Sequence, residues 1–193
     1  MPLLGWADPV APQPMRVLVA GTSGSGKTSM CAQIAQAWGL RQVELDALHH
    51  GPNWAPRAEF EQDVQAFVTQ PRWVTEWQYT ARLGTLLIDH ADLLVWLDHP
   101  RRTVMRQVIV RTIRRRLRRE QLWNGNTEAP LRTVFTDPDH IVRWAWQTHA
   151  RQSERIARLL THRDLPVVRL RGVRQRNRWT RRNLRTGRVR VTG

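Results

Sequence analysis

Residues 21–28 read Gly21-Thr22-Ser23-Gly24-Ser25-Gly26-Lys27-Thr28, and this octapeptide decides how the chain folds. Its spacing fits G-x-x-x-x-G-K-[ST], a pattern in which backbone N–H groups surround phosphate oxygens. Lys27 is the only lysine in the chain, against thirty arginines. A compact ammonium reaches between the β- and γ-phosphates, where a wide planar guanidinium would collide with the loop. The octapeptide therefore predicts a phosphate-binding loop.

The flanking residues supply the structural context that this loop requires. Residues 16–20 form a short apolar run typical of a buried parallel strand, and residues 29–38 have the apolar spacing of a helix that Gly39 can close. A helix N-terminus directly after the loop adds partial positive charge beneath the phosphates. A dinucleotide site needs G-x-G-x-x-G, but residue 29 is serine, so that alternative is excluded.

Size and composition limit the class of protein. A chain of 193 residues is one domain, and its single cysteine, Cys31, forms no internal disulfide and suits a reducing compartment. No stretch approaches eighteen apolar residues, which argues against a membrane span. Residues 1–14 carry four prolines and no positively charged start, so we expect a disordered leader and a cytoplasmic protein.

The formal charge of +15 is distributed unevenly. Residues 1–100 hold six basic and ten acidic side chains, whereas residues 101–193 hold twenty-five arginines and six acids, a net charge of +19. This asymmetry predicts that the C-terminal half faces an anion. Nucleotide phosphates and nucleic acid are both candidates.

Carboxylates follow three of the predicted strands. Strands over residues 42–46, 72–76 and 92–98 end at Asp46, Glu76 and Asp98, and a further strand covers residues 166–170. Strands that alternate with helices predict a parallel sheet covered on both faces, whose ligands gather at the C-terminal strand ends. The glycine loop and the three acids would meet at that edge, which favours an enzyme. A long helix from Pro100 to about residue 120 is predicted to bury Met105, Ile109, Ile113 and Leu117.

Beyond these patterns, the chain resembles P-loop kinases of the nucleoside-monophosphate-kinase and shikimate-kinase type. More narrowly, it is similar to bacterial adenylate-kinase-like proteins called DNA topology modulation proteins, over about residues 15–172. The matching segments are Leu45-Asp46-Ala47-Leu48, Trp54, Arg72-Trp73-Val74-Thr75-Glu76-Trp77-Gln78-Tyr79 and Leu94-Val95-Trp96-Leu97-Asp98-His99-Pro100-Arg101. Glu76 replaces the usual aspartate, and Trp77-Gln78 replaces Gly-Asn, so the substrate side of the site is expected to differ.

The resemblance implies a P-loop NTPase fold: a three-layer α/β sandwich around a five-stranded parallel sheet in the order 2-3-1-4-5. It implies a mobile arginine-bearing lid, at about residues 111–136, that closes over ATP. The expected organisation is a leader over 1–14, a kinase-like domain over 15–172 and a basic C-terminal helix and tail over 173–193.

Site residues follow from the motif and from this resemblance. Lys27 would hold the β- and γ-phosphates, and Thr28 would be a Mg²⁺ ligand through its hydroxyl. Glu76 would act in the outer shell of Mg²⁺, the alternative being a plain acid at the end of a strand. Asp46 is predicted to be the catalytic base or to orient the acceptor, the alternative being a carboxylate that caps the next helix. Asp98 is expected to fix the turn into Pro100, the alternative being a metal-binding role. The predicted nucleotide contacts are Gly21, Thr22, Ser23, Gly24, Ser25, Gly26, Lys27, Thr28 and Ser29.

Arginines are expected to neutralise the transferred phosphoryl group. Arg111 and Arg115, four residues apart on one helix face, are the predicted phosphate contacts, and Arg151 could close from the next helix. A solvated helix surface is the alternative for each. The residues expected on the acceptor side are His49, His50, Trp54, Trp77 and Tyr79. The two histidines lack the spacing of a metal site, so a role in the loop is expected for them.

The sequence thus predicts an ATP-dependent phosphotransferase that uses Mg²⁺ and acts on a small molecule or a nucleotide. Two alternatives stay open. The basic half would suit a nucleic-acid-associated ATPase, although no helicase motif set is present. The departure at Glu76 and Trp77 would suit a nucleotide-binding protein with little turnover. No membrane partner is expected.

Overall fold

The computed structural model describes residues 3–118, 141–162 and 164–184. Within these ranges six parallel strands form one sheet, and helices cover both of its faces. The strands are β1 (Leu3–Leu4), β2 (Arg16–Gly21), β3 (Arg41–Val43), β4 (Trp73–Glu76), β5 (Leu93–Asp98) and β6 (Val167–Arg171). The helices are α1 (Lys27–Trp38), α2 (Leu45–His49), α3 (Phe60–Val68), α4 (Thr80–Leu83), α5 (Leu86–Asp89), α6 (Arg101–Leu117), α7 (Ile141–His162) and α8 (Gly172–Asn183).

The strand order is β1-β6-β5-β2-β4-β3. The five strands predicted from the sequence therefore occur in the predicted order, with the loop-bearing strand β2 between β4 and β5. The sixth strand corrects the expectation of a disordered leader, because Leu3 and Leu4 pair with Val167 and Val168 at the edge of the sheet. Trp6 and Val10 pack against the core beside them.

Alternate residues of each central strand enter two separate hydrophobic clusters. In β2, Val17 and Val19 pack with α1 and α8, whereas Leu18 and Ala20 pack with α3, α5 and α7. All four side chains are fully buried. A strand that is apolar on both faces has to be covered by helices on both sides, which gives the three-layer sandwich predicted from the alternation of elements.

Two predictions about local structure are wrong. Strand β3 ends at Val43, so Asp46 lies in the first turn of α2 and not at a strand end. In α6 the predicted buried stripe is displaced by one residue, because Val104 and Val108 are buried whereas Ile109, Ile113 and Leu117 are exposed. The polar residue Thr112 continues the buried face, and a polar residue at that place conceals the true stripe from a hydrophobic pattern.

Further details concern helix ends. Helix α3 begins at Phe60, and α4 and α5 are separated at Gly84, whose φ is 54°. No helix in the three described ranges is long and apolar enough to cross a membrane. The rest of the predicted lid (119–136) and the tail after residue 184 lie outside the described residues.

Candidate active site

The glycine loop joins β2 to α1 at the C-terminal edge of the sheet. The Ser25 N–H donates to the Thr22 carbonyl at 3.0 Å, which closes the loop into a turn. Gly26 has a φ of 91°, in the left-handed region that glycine enters at little cost. A Cβ on Gly24 would lie 2.1 Å from Cγ2 of Val108, so α6 packs directly on the loop. The loop residues form a compact cradle whose backbone can approach phosphates closely.

One carboxylate engages the last two residues of the motif. Thr28 Oγ1 donates to Glu76 Oε1 at 2.5 Å, and Lys27 Nζ lies 3.5 Å from Glu76 Oε2. The side chains of Lys27 and Glu76 are only 11% and 9% exposed. The register explains the contact, since β4 lies beside β2 with Glu76 opposite Val19, just before the loop. These contacts hold Lys27 and Thr28 in place. The carboxylate that makes them, Glu76, is one of the three acids predicted to meet the glycine loop at this edge of the sheet.

The donor set fits Mg²⁺. A threonine hydroxyl and a carboxylate are hard oxygen ligands, and Mg²⁺ usually keeps several waters and binds through one or two protein oxygens together with phosphate oxygens. No group of three or more His, Cys, Asp or Glu side chains in the described ranges could hold a metal ion by itself. A metal that binds here would need the phosphates of a nucleotide as further ligands.

Asp46 lies in a polar cluster beside this site. Gln78 Nε2 donates to its Oδ1 at 2.8 Å, and the Tyr79 hydroxyl donates to the same oxygen at 2.6 Å. No side-chain hydrogen bond caps the start of α2, so Asp46 does not have the helix-capping role that was the alternative for it. Glu76 is the last residue of β4 and Gln78 follows it by two positions, so the carboxylate that contacts Lys27 and Thr28 and the amide that holds Asp46 belong to the same strand end.

The predicted acceptor-side residues surround Asp46. The His49 ring stacks on Tyr79 with centroids 4.2 Å apart, and His50 Nε2 lies 3.0 Å from the Tyr79 hydroxyl. Trp54 packs edge-on against His50 at 5.1 Å. Burial and the neighbouring His50 lower the pKa of His49, and burial and Asp46 raise the pKa of Tyr79 well above its usual value. Both rings are therefore uncharged at neutral pH.

Backbone conformation also marks this cluster. Asn53, Trp54 and Tyr79 have φ values of 56°, 60° and 55°. Residues with a side chain enter this left-handed region at a cost of about 1–3 kcal/mol each, and such residues concentrate at binding and catalytic sites. Tyr79 has this conformation immediately before α4, and its hydroxyl contacts Asp46.

The predicted arginines are only partly covered by the described residues. Arg111 and Arg115 lie on α6, the helix that packs on the glycine loop through Val108, and both are partly buried. Arg151 belongs to α7, and its side chain lies outside the described part of the chain. Their contact with phosphate stays a prediction.

Asp98 and Trp77 have contacts of their own. Asp98 Oδ2 accepts from Nε and Nη2 of Arg169 at 2.8 and 2.7 Å, an ion pair between neighbouring strands β5 and β6. This contact agrees with a structural role rather than a metal-binding one. The Trp77 ring is buried, and Arg155 of α7 lies over it at 5.8 Å.

Two residues at the site were not predicted as site residues. Gln78 holds Asp46, as described above, although the sequence marked it only as a departure from the family motif. Arg176 of α8 has its Nη1 atom 3.6 Å from the position that a Cβ on Gly26 would occupy. No local pattern distinguishes Arg176 from the other arginines of this helix; its position follows from the packing of α8 beside α1 in one hydrophobic cluster.

The Glu76 ion pair gives the first testable prediction. Replacing Glu76 by glutamine removes the negative charge beside the phosphate site, so ATP should bind several-fold more tightly without metal, and the gain in affinity on adding Mg²⁺ should be lost. Isothermal titration calorimetry with and without Mg²⁺ measures both effects. Glu59→Gln, at an exposed carboxylate on the N-terminal side of α3, is the matched control. Retention of a full Mg²⁺ effect in Glu76→Gln would contradict the metal role.

Comparisons with known proteins agree with this geometry. A model of the family described as "AAA: ATPase family associated with various cellular activities (AAA)" matches residues 17–136, more than half of the chain. No curated protein sequence matches significantly. Among solved structures, a gluconokinase from Sinorhizobium meliloti 1021 matches with a TM-score of 0.50 and 18% identity, covering 88% of this chain and 93% of that one.

Two further solved structures align over similar lengths. They are a shikimate kinase from Bacteroides thetaiotaomicron (TM-score 0.46, 11% identity, 88% of this chain and 95% of that one) and a sugar kinase from Janibacter sp. HTCC2649 (TM-score 0.45, 16% identity, 94% and 92%). At 18% identity, the likeness to the gluconokinase shows a shared α/β fold and does not extend to its substrate.

Proposed function

The chain belongs to the ATPase family associated with various cellular activities (AAA), and on that basis we propose that it is an ATP-dependent phosphotransferase that uses Mg²⁺. The observation that carries the proposal is the contact of Lys27 and Thr28 with the carboxylate of Glu76, together with the half-buried carboxylate of Asp46 that Gln78, two residues after Glu76, holds by a hydrogen bond. An ATPase needs the first group of residues, whereas transfer to a second substrate also needs a group such as Asp46 to meet the acceptor.

The proposed roles follow from charge and hydrogen bonding. The amides of residues 21–29 and the ammonium of Lys27 bind the triphosphate, and Thr28 and Glu76 are the protein groups that would hold Mg²⁺. The metal neutralises charge on the phosphate oxygens when it is bound. Asp46 orients the acceptor and takes its proton. Arg111, Arg115 and Arg151 are proposed to stabilise the transferred phosphoryl group, and 15–172 is proposed as the catalytic domain.

An acceptor screen tests this proposal directly. The protein is incubated with ATP and Mg²⁺ and a panel of hydroxyl compounds and nucleoside monophosphates, and ADP release is compared with the background without acceptor. At least one acceptor should raise ADP release and appear as a phosphorylated product by mass spectrometry. ATP binding without transfer to any acceptor would favour a nucleotide-binding protein with little turnover.

Arg176 is proposed as an additional nucleotide contact from the C-terminal helix. Its guanidinium lies beside Gly26, and charge-assisted hydrogen bonds to an anion contribute about 1.5–3 kcal/mol. Arg176→Ala should therefore weaken ATP binding by about 10-fold or more. Arg174→Ala, at an exposed arginine of the same helix, should leave the affinity near the wild-type value. Equal effects of the two substitutions would indicate a general charge effect instead of a specific contact.

The charge of the C-terminal half supports one alternative function. Residues 101–193 carry a net charge of +19, which would attract nucleic acid at low salt. A nucleic-acid-associated ATPase would hydrolyse ATP faster when DNA or RNA is added, and its binding would weaken steeply as the salt concentration rises. Turnover that does not respond to either nucleic acid would exclude this alternative.

A further inference from the structure

The two oxygens of the Asp46 carboxylate differ in their surroundings. Both hydrogen bonds, from Gln78 and from Tyr79, fall on Oδ1, and within the described part of the chain none falls on Oδ2. The side chain is partly exposed, so a ligand can reach it. One oxygen is thus fixed by two donors, and the other is available to accept a hydrogen bond from a bound molecule.

Tyr79 is itself held in a defined direction. Its hydroxyl proton points to Asp46 at 2.6 Å, so His50 Nε2, at 3.0 Å, acts as the donor to the Tyr79 oxygen. His49 Nδ1 lies 3.4 Å from His50 Nδ1, and its ring stacks on Tyr79. The hydrogen bonds from His50 and Tyr79 run in one direction and end at Oδ1 of Asp46. This arrangement fixes the orientation of the carboxylate and therefore of its second oxygen.

The charges on this side of the site are unfavourable for a phosphate. Residues 44–63 contain five acidic side chains and one basic side chain, Arg57. Arg57 contacts Asp63 at 3.2 Å and Glu59 at 3.8 Å, and the next arginine in this region, Arg82, contacts Glu61 at 3.1 Å. These guanidinium groups are already neutralised by carboxylates. A phosphate monoester that approached Asp46 would meet a like charge without a free described cation from α2, α3 or α4.

No ion pair in the described ranges brings an arginine or lysine to Asp46 itself. From β4, Glu76 adds a further negative charge, and its partner is Lys27 at the nucleotide site. From α7, Arg155 lies over the Trp77 indole, so its described contact is with that ring and not with Asp46. The described surroundings of Asp46 therefore combine its carboxylate with the aromatic side chains of Tyr79, His49, His50 and Trp54.

We propose that the acceptor presents a hydroxyl group, and not a phosphate, to Oδ2 of Asp46, and that Tyr79 and Gln78 are the positioning residues of that carboxylate. This inference rests on the proposed phosphotransferase function. In the reaction, the acceptor oxygen forms a bond to the γ-phosphorus of ATP, and the bond from that phosphorus to the β,γ-bridging oxygen breaks, which leaves ADP. The hydroxyl proton passes to Asp46 Oδ2. A phosphate acceptor is ionised at neutral pH and would have no comparable need for this base.

The chemical identity of the phosphorylated oxygen tests the substrate class. The protein is incubated with γ-labelled ATP, Mg²⁺ and either polyols, sugars and hydroxy acids or nucleoside monophosphates, and labelled products are separated. Label on a hydroxyl oxygen, as a phosphate monoester, is the expected result. Label found only on a phosphate, as a diphosphate, would overturn the inference and leave the proposed function standing. ATP binding with no labelled product from either group would overturn the proposed function as well.

The positioning role is tested by combining substitutions. Tyr79→Phe removes one hydroxyl and should lower kcat about 10-fold while the KM for ATP stays unchanged, and Asp46→Asn should lower kcat further. If Tyr79 acts through Asp46, adding Tyr79→Phe to Asp46→Asn should cause no further loss, because close residues with one shared function are not additive. Full additivity of the two effects would overturn the positioning role. Gln78→Glu, which replaces a donor with a like charge, should lower kcat more than Gln78→Asn.

Discussion

Replacement of Lys27 by methionine should weaken ATP binding by about 10- to 150-fold and leave the fold intact. The ammonium is the one positive side chain that the loop itself supplies, and its loss removes a charge-assisted contact worth about 1.5–3 kcal/mol in binding. The loss of turnover should be larger, about 10²–10³-fold, because charge on the γ-phosphoryl group increases as it is transferred. Calorimetry with ATP and Mg²⁺ measures the first effect, and an ADP-release assay measures the second.

Two variants make the Lys27 result specific. Lys27→Arg keeps the charge and changes the shape, and it should also lose most of the binding because a guanidinium is wider than the loop allows. Arg41→Met, at the opposite end of the sheet where Arg41 contacts Gln70, removes one positive charge and should have no effect. Since Lys27→Met also leaves Glu76 without its ion-pair partner, circular dichroism must confirm the fold. Unchanged ATP affinity in a folded Lys27→Met protein would refute the nucleotide site.

Replacement of Asp46 by asparagine should separate phosphoryl transfer from nucleotide binding. Asparagine has nearly the same shape and can still accept the hydrogen bond from Tyr79, but it cannot take up a proton. General base catalysis contributes about 10²–10⁴-fold, so acceptor-dependent ADP release should fall by that factor while ATP affinity stays the same. Steady-state kinetics with the acceptor found in the screen gives kcat and both KM values.

Asp63→Asn is the matched control for Asp46. Asp63 lies on α3 in the same acidic region, where its carboxylate contacts Arg57 at 3.2 Å, and its neutralisation changes the local charge without touching the proposed base. Turnover should remain close to that of the wild type. If both substitutions lowered kcat equally, the cause would be the electrostatic field of the region and not proton transfer to Asp46.

Part of the candidate site could be predicted from the sequence because its residues are local. The octapeptide 21–28 specifies its own loop, and the end of a parallel strand at Glu76 places that acid at the same edge of the sheet. Gln78 and Arg176 could not be found in this way. Gln78 matters because its side chain reaches Asp46, 32 residues away in sequence. Arg176 matters because it lies beside Gly26, 150 positions earlier in the chain.

The stripe on α6 shows the same limit. Met105, Ile109, Ile113 and Leu117 form a regular apolar series, yet the helix turns Val104 and Val108 inward. The reason is a tertiary contact, because the bare backbone of Gly24 leaves space that the Val108 side chain occupies. The spacing of apolar residues in α6 indicates which side chains could be buried. The packing of α6 against the glycine loop determines which side chains are buried.

What the sequence by itself determined is the parallel three-layer fold and the phosphate loop with Lys27, whereas the order of the five main strands was implied by the resemblance to P-loop kinases. The fold and the loop follow from short-range rules: apolar strands buried on both faces, and a glycine pattern typical of phosphate-binding loops. Only the tertiary structure decided that Leu3–Leu4 extends the sheet, that one oxygen of Asp46 is fixed by Gln78 and Tyr79, and that Arg176 lies beside Gly26. Such contacts depend on where whole elements come to lie against one another, and no pattern within a single segment encodes that position.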